Sequence, residues 1–476
     1  MTISARSVMM CVAGVTIASG TARAADIAKS TMEEQAAVEV TVYNENLGLV
    51  KDVRNIRLAA NEGELQFMDI AASVMPETVH VVSLNHPKAL AVLEQNYEYD
   101  LISQEKLLDK YVGKELTLID RHEFQDRKDT IPATLLSNNG GPIYKIGDQI
   151  YLGHPGIPVL PQLPENLIAR PTLTWLYRND SQDAHRVEVS YLTTNISWKA
   201  DYVLGLNADD TAGDLSGWVT VNNQSGATYR NAKLKLVAGT VHRAELGRQA
   251  MLQDGEMTLR SAAQAPQFQE QGLFEYHLYD LQRPSTIKNN QTKQISLLEA
   301  AGVALKKELL VYGLATYFTR QYYEEHPKQP VNVYVSFKNS TENALGMPLP
   351  AGTMRVYKKD AGGALQFVGE DRVEHTPKDE HVRLKVGEAF DVVAKRRQTD
   401  FRQVTTHQYE SEWEITLNNH KDQDLTVGVI EPVPGSWEVL QESHPHKKLD
   451  AFTIRFDVLV PKDQEVMVKY RIRVGI

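Results

Sequence analysis

The sequence predicts an all-β dominated protein with minor α content. An antiparallel β-sandwich is expected as the C-terminal domain, and smaller N-terminal β-rich units, including a small barrel, are expected before it. Apolar and polar residues alternate in many short stretches, as at Val38, Val40 and Val42, which is the period of a half-buried strand. Glycine and asparagine turns separate these stretches. One stretch, Gln104 to Lys110, has the pattern of a helix.

Residues 1–24 have the features of a secretory signal peptide. Arg6 provides the positive charge, Val8 to Ile17 form a short apolar core, and Ala22-Arg23-Ala24 is a small-x-small cleavage site. Cleavage after Ala24 would remove Cys11, the single cysteine of the chain. We therefore expect a periplasmic or secreted, cysteine-free mature protein with no stable membrane insertion after cleavage.

Residues 25–112 are predicted to form an N-terminal β-rich unit that ends in the helix at Gln104 to Lys110. Ser103 has the side chain of a helix N-cap, and Gly113 follows the helix. Residues 113–168 are predicted to form a small barrel-like insert of short strands and glycine turns. The stretch from His154 to Pro158 and the prolines after it predict a linker.

Residues 169–476 are predicted to form the C-terminal β-sandwich domain. Three strand-like runs there end in a polar turn, at Asn222-Asn223, Asn339-Ser340 and Asn418-Asn419. Each is followed by a return strand, as antiparallel sandwich sheets require. A segment rich in Ala, Gln and Glu, residues 242–272, is predicted to be a mobile excursion, with the β-pattern resuming at Phe274.

Charge and motif content favour no nucleic-acid partner and no cofactor. The net charge is −10, which disfavours binding to polyanions. The basic run Lys395-Arg396-Arg397 is interpreted as a solvated strand end. No phosphate-binding glycine loop and no metal-ligand motif with suitable spacing is present in the sequence.

Serine–lysine pairs match the Ser-x-x-Lys pattern of some exported enzymes, at Ser103–Lys106 and Ser285–Lys288. The companion motifs of that active site are missing, so Ser103 is interpreted as a helix cap. The chain has 61 Asp and Glu residues. A pair of them could hydrolyse a polysaccharide, but the sequence does not indicate which pair.

The loop from Asn207 to Asp214 is rich in oxygen ligands and could bind calcium. Its glycine and Trp218 do not fit the spacing of an EF-hand loop, so a polar hairpin is favoured and calcium binding is left open.

Aromatic residues beside polar groups are the candidate recognition surface. They are Tyr97, Tyr99, Tyr322, Tyr323 and Trp437. Rings presented beside carboxylates and amides suit sugar faces or protein partners. Ordinary half-buried strand aromatics are the more common alternative.

Several strings resemble a known family. They include Ile196 to Tyr202, Leu236 to Gly239 and Pro350 to Tyr357, together with Leu93 to Tyr99 and Leu135 to Gly141. The chain resembles the domain of unknown function 4139 family, whose relatives include mucoidy inhibitor A-like proteins. The resemblance implies an exported, β-rich bacterial protein and hints at control of capsule or exopolysaccharide, without assigning catalytic residues.

Together these observations favour an exported, envelope-associated protein that acts as a non-catalytic binding or structural module. Its expected partner is an envelope glycan or protein. The alternative is a polysaccharide or peptidoglycan hydrolase with an unrecognised Asp/Glu pair.

Overall fold

The computed structural model describes residues 27–98, 103–121, 128–154, 156–162, 170–239, 267–323 and 326–476. Within these ranges the chain consists of β-strands with one α-helix, α1 (Gln104–Tyr111). The all-β dominated fold class is therefore confirmed. The predicted signal peptide, residues 1–24, and Tyr99 lie outside the described residues.

The described chain up to Asn179 contains these strands: β1 (Ala28–Ser30), β2 (Gln35–Tyr43), β3 (Leu47–Ile56), β4 (Asn61–Met68), β5 (His80–Ser83), β6 (Leu90–Glu98), β7 (Glu115–Arg121), β8 (Lys128–Ser137), β9 (Ile143–Ile146), β10 (Gln149–Leu152), β11 (Ile157–Val159) and β12 (Thr172–Asn179).

The described chain after Asn179 contains these strands: β13 (His185–Thr193), β14 (Ile196–Leu206), β15 (Ala212–Asn223), β16 (Tyr229–Ala238), β17 (Phe268–Leu273), β18 (Tyr276–Leu281), β19 (Ser285–Ile287), β20 (Gln291–Ala304), β21 (Lys306–Tyr312), β22 (His326–Gln329), β23 (Asn332–Lys338), β24 (Gly352–Lys359), β25 (Leu365–Val373), β26 (His381–Glu388), β27 (Val392–Thr405), β28 (Gln408–Asn419), β29 (Leu425–Pro432), β30 (Ser436–Glu442), β31 (His446–Asp450), β32 (Thr453–Val460) and β33 (Glu465–Gly475). Short 3₁₀ helices span Met32–Glu34, Pro76–Thr78, Ala315–Phe318 and Thr341–Asn343.

The described chain divides into two compact units. The first contains residues 27–36, 53–70 and 81–188, and the second contains residues 37–52, 71–80 and 189–476. The chain therefore enters each unit more than once. The domain boundaries expected after residues 112 and 168 stay predictions.

The first unit contains two separate sheets. One has four strands in the order β1-β4-β12-β6, with β1 parallel to β4 and the other pairs antiparallel. The other has five antiparallel strands in the order β10-β9-β8-β7-β11. Helix α1 packs on this second sheet, where Leu108 and Tyr111 contact a buried cluster that includes Leu118 and Leu135.

The small barrel predicted within residues 113–168 is wrong, because the five-stranded sheet is open. Its edge strands, β10 and β11, each have a single neighbour among the described residues. A barrel buries its apolar face by closing on itself, whereas here α1 covers that face. The expected linker contains edge strand β11, whose central Pro158 is compatible with an edge because it lacks only an N–H donor.

The second unit contains the predicted two-sheet sandwich, with one departure from the expected antiparallel pairing, because β21 and β29 are parallel neighbours. Its two sheets have the strand orders β26-β23-β21-β29-β32-β31 and β22-β27-β28-β33-β30. Both contribute to one buried core, in which Trp413, Ile415 and Phe456 are 0 % exposed. Two further groups of neighbouring strands in this unit have the orders β20-β15-β14-β24-β25 and β17-β18-β16-β2.

The β-pattern resumes earlier than predicted after the excursion assigned to residues 242–272. Residues 240–266 lie outside the described chain, but Phe268–Leu273 already forms β17 and pairs with β18. Phe268 is 5 % exposed, and Glu270 Oε1 lies 2.8 Å from His277 Nδ1 across the hairpin. Burial of Phe268 and pairing with β18 thus order the start of β17, although its polar composition predicts mobility.

Buried asparagines lie at the ends of four strands of the described chain, three as the last residue of the strand and Asn339 directly after β23. Asn223, Asn339 and Asn419 belong to the predicted pattern, and Asn179 is a fourth example that it missed; all are 0–1 % exposed. Asn419 is typical: its Nδ2 donates to the carbonyls of Gln423, Val460 and Pro461 at 2.9–3.1 Å, and its Oδ1 accepts from the Lys421 N–H at 3.0 Å. One side chain therefore satisfies backbone groups of its own turn and of the end of β32, in the other sheet of the sandwich.

Candidate functional site

The candidate site is a cleft beside α1 in the first unit. The helix begins as predicted, with Ser103 Oγ accepting from the Lys106 N–H at 3.2 Å. It runs one residue beyond the predicted end, to Tyr111, and Gly113 follows it with a φ of 80°. Leu108 and Tyr111 anchor one face of the helix, which leaves the half-buried Leu107 beside the cleft.

The first lobe of the cleft has an apolar floor and an amide rim. Its volume is about 570 Å³, and its floor is formed by two leucines of α1 and by the segment around β11. The lining residues are Ser103, Gln104, Leu107, Leu108, Pro158, Leu160 and Gln162. No charged side chain lines this lobe among the described residues.

The second lobe is more polar and shares Gln104, Leu108 and Pro158 with the first. Its volume is about 630 Å³, and it extends over the glycine turn before β9. The further lining residues are Glu105, Asn138, Gly140, Gly141, Pro142, Tyr144, His154 and Gly156. Gly140 and Gly141 have φ values of 77° and 129°, a backbone region that glycine adopts without strain.

Hydrogen bonds fix the walls of the cleft to the helix. The Tyr111 hydroxyl donates to the Gln162 carbonyl at 2.6 Å and accepts from the Gln162 N–H at 3.2 Å. On the other side, Asn138 Nδ2 donates to Asp109 Oδ1 at 2.8 Å. A cleft with both walls tied to one helix is preorganised, which lowers the entropic cost of binding.

Tyr97, one of the predicted recognition residues, is a half-buried residue of β6 opposite Leu173. Burial raises the pKa of its phenol. Its predicted partner in recognition, Tyr99, lies outside the described residues.

The other predicted recognition residues lie in the second unit. Tyr322 and Trp437 are half-buried and pack against the sandwich core. The Tyr322 N–H donates to Gln398 Oε1 at 2.8 Å, and Trp437 Nε1 donates to the Ala451 carbonyl at 2.9 Å. Tyr323 is 87 % exposed. Among the four of them that the structure describes, none lines the cleft, and the role of all five in recognition stays a prediction.

A serine–histidine–asparagine chain in the first unit has the hydrogen-bond order of a catalytic relay. Ser83 Oγ lies 2.9 Å from His185 Nδ1, and His185 Nε2 lies 2.9 Å from Asn179 Oδ1. Asn179 Nδ2 donates to three carbonyls, which fixes its oxygen toward the ring. His185 therefore carries its proton on Nε2, and its Nδ1 competes with Asn85 Oδ1, 3.1 Å from Ser83 Oγ, for the single hydroxyl proton of Ser83.

This chain is enclosed, however. Ser83 is 2 % exposed and His185 is 1 % exposed. Burial lowers the pKa of His185, and nearby His86 lowers it further. A nucleophile must reach its substrate, so the arrangement serves to connect strand ends rather than to attack a ligand.

The interpretation of Lys395-Arg396-Arg397 as a solvated strand end is wrong for its central residue. The run lies inside β27, where successive side chains point to opposite faces. Arg396 and Glu431, from the two sheets of the sandwich, are both 0 % exposed, with Arg396 Nη2 2.7 Å from Glu431 Oε1. Burial raises the pKa of Glu431, while Arg396 opposes that rise. Gly313 leaves room for this carboxylate, since a Cβ there would lie 1.9 Å from Glu431 Oε2.

The loop from Asn207 to Asp214 is the polar hairpin that the sequence favoured. Its Asp210 carboxylate lies 2.7 Å from Lys307 Nζ and 2.5 Å from Lys358 Nζ. These lysines lower the pKa of Asp210 against the opposing effect of burial. The Asn207 oxygen accepts from two N–H groups of the same loop. The side chains of Asp210 and Asn207 are thus engaged by the protein itself.

In the described part of the chain, no group of three or more His, Cys, Asp or Glu side chains is placed to hold a metal ion. No helix in the same ranges has the length and hydropathy needed to cross a membrane.

The sequence did not point to the cleft. Its floor combines α1 with a segment that lies about fifty positions later, where the sequence predicts a linker. The available signal was Leu107-Leu108, because a short helix that packs on a sheet with one face seldom buries two adjacent leucines; here Leu108 is buried and Leu107 is half-buried.

A family model described as a domain of unknown function (DUF4139) matches residues 187–474. No curated protein matches the chain. The matched range contains the strings at Ile196, Leu236 and Pro350, whereas the cleft precedes it. Because the match covers more than half of the sequence, the chain belongs to the DUF4139 family.

Proposed function

We propose that this chain is a non-catalytic binding module of the cell envelope, and that it holds a segment of a protein partner in the cleft beside α1. The observation that supports this most is the composition of the first lobe. Leu107, Leu108 and Leu160 offer an apolar floor, while Gln104 and Gln162 offer amides at the rim. Binding clefts commonly combine apolar walls with a few orienting polar groups.

The same composition favours a protein over a glycan as the partner. Sugar faces stack on exposed aromatic rings. Tyr144 is the one tyrosine among the described residues that line the two lobes, and it is only 2 % exposed. Leucine floors instead accommodate apolar side chains of a peptide segment. The glycine turn and Asn138 could then hydrogen-bond its backbone.

The hydrolase alternative has less support. Glycoside hydrolysis uses two carboxyl groups about 5–10 Å apart, and Glu105 is the one carboxylate among the described residues that line the two lobes.

The proposed location rests on the sequence. Residues 1–24 have the charge, apolar core and cleavage site of an export signal, and a partner in the envelope would be accessible to a protein delivered there.

The experiment compares two glutamine substitutions on the same helix. Leu107→Gln places an amide on the cleft floor, and Lys106→Gln, at the exposed neighbouring position, is the control. Immobilised full-length chain is exposed separately to purified envelope proteins and to purified envelope polysaccharide. A captured protein is then purified and titrated against each variant.

We expect one envelope protein to bind the unsubstituted chain and the Lys106→Gln variant equally. Loss of one buried leucine contact, worth about 1.5–3 kcal/mol, should weaken binding to Leu107→Gln by roughly tenfold or more. Equal binding of both variants would contradict the cleft as the site. Retention of polysaccharide alone would contradict the choice of a protein partner.

A further inference from the structure

Strand β10 is an edge strand that is short, four residues, but has none of the other usual protections of an edge. It comprises Gln149–Leu152 and has β9 as its single neighbour among the described residues. Ile150 is 66 % exposed and Leu152 is 87 % exposed. Natural sheets usually blunt such edges with charged side chains, proline or a bulge. The strand contains no charge and no proline, and its pairing with β9 is regular.

The hairpin geometry determines which backbone groups face outward. Ile146 pairs with Gln149 across the two-residue Gly147-Asp148 turn, and Tyr144 pairs with Tyr151. The closing pair of a two-residue hairpin exchanges hydrogen bonds, and hydrogen-bonded pairs alternate along an antiparallel ladder. Gln149 and Tyr151 therefore bond inward to β9. The N–H and C=O groups of Ile150 and Leu152 face outward.

We propose that two copies of this chain associate through β10, so that their five-stranded sheets join as one continuous antiparallel sheet. A twofold axis through Tyr151 places Ile150 of each copy opposite Leu152 of the second copy. All the outward-facing backbone groups of these two residues then find partners, which gives four inter-chain hydrogen bonds.

The side chains are compatible with this register. Residues opposite each other in an antiparallel pair project from the same face of the sheet. Ile150 and Leu152 share one face and Tyr151 the other, so isoleucine meets leucine and tyrosine meets tyrosine. No like charges are brought together, because the strand is uncharged. The pairing buries the side chains of Ile150 and Leu152, which are exposed in the single chain, and this burial favours association.

The contact is short, so we expect the association to be weak. Four residues on each side bury well below the roughly 800 Å² per partner of a stable interface. We therefore expect a weak, concentration-dependent dimer. This inference does not rest on the proposed partner. The apolar side chains that it buries, Ile150 and Leu152, lie on the face of the sheet opposite α1, whereas Tyr151 lies on the α1 face, with its ring 6.0 Å from that of His154 in the second lobe.

The test uses disulfide trapping. Cys11→Ser removes the single native cysteine, and Tyr151→Cys then introduces one thiol per chain. In the proposed register, position 151 of one copy lies opposite position 151 of the second copy as a non-hydrogen-bonded residue pair. The two Cα atoms are then about 4.5 Å apart, within the range that a disulfide between the introduced cysteines requires. Gln149→Cys in the same background is the control, since its copies would be about 14 Å apart along the strand.

Under mild oxidation we expect a disulfide-linked dimer from Tyr151→Cys and none from Gln149→Cys. Sedimentation of the Cys11→Ser chain should show a roughly twofold rise in mass with concentration, as a twofold dimer requires. Adding Ile150→Lys should abolish both signals because it places like charges in the interface. Melting curves of each variant verify that it is folded. Equal trapping at both positions, or a chain that stays monomeric while folded, would overturn the proposal. Trapping of a different protein at Tyr151→Cys would also overturn it, by identifying a heterologous strand as the occupant.

Discussion

The ion pair between Arg396 and Glu431 predicts a large and asymmetric response to substitution. Both side chains are fully buried and 2.7 Å apart. At an effective dielectric constant of about 20, this separation gives an attraction of roughly 6 kcal/mol. That attraction offsets a desolvation cost of several kcal/mol for each ion. Removing one partner therefore loses the attraction and leaves the other charge buried.

Glu431→Gln should lower the free energy of unfolding of the sandwich by about 3–5 kcal/mol. The double substitution Arg396→Met with Glu431→Leu removes both desolvation costs, and it should be less destabilising than Glu431→Gln alone. Urea unfolding followed by tryptophan fluorescence suits this test, because the ring of Trp413 lies 5.6 Å from the Arg396 guanidinium. A cost below about 1 kcal/mol for Glu431→Gln, or a double variant worse than the single one, would refute this account of the pair.

Further predictions concern the turns and the buried histidine. Asn419→Ala should cost about 2–4 kcal/mol by leaving buried carbonyls unpaired, whereas Asn418→Ala, at a half-exposed neighbour, should cost far less; urea midpoints compare them. Burial lowers the pKa of His185 below its ordinary value of 6.5, so the unfolded chain binds the proton more readily. The contribution of neutral His185 to stability is therefore complete above about pH 6.5 and is lost as the pH falls toward the pKa of His185 in the folded chain. The melting temperature of the His185→Gln variant should depend less on pH over that range than the melting temperature of the unsubstituted chain. A chelator should leave the melting temperature unchanged, because lysines occupy the Asp210 carboxylate; a fall that calcium reverses would contradict this.

Local patterns made much of the fold predictable from the sequence. The alternation of apolar residues identified strands, and the asparagine turns at Asn223, Asn339 and Asn419 identified where three of them end. The cap at Ser103 and the helix that follows depend on residues within one turn of each other. Asn179 was missed because a single asparagine, without an adjacent Asn or Ser, is a weaker turn signal.

Features that depend on distant residues were not predictable. The partner of Arg396 lies on another strand of the opposite sheet, so the basic run gave no sign that its middle residue is buried. The barrel was expected because strand spacing alone does not distinguish a closed sheet from an open one covered by a helix. The cleft was missed because Leu107 and Leu160 are distant in sequence and line it together only after α1 packs on the sheet.

Site-specific photo-crosslinking in the producing cell tests the central claim most directly. A photoreactive side chain replaces Leu107 on the cleft floor, and Lys106 is replaced in the control. The account predicts a discrete adduct with one envelope protein from position 107 and none from position 106. No protein adduct from position 107, or the same adducts from both positions, would contradict the assignment of the cleft as a protein-binding site.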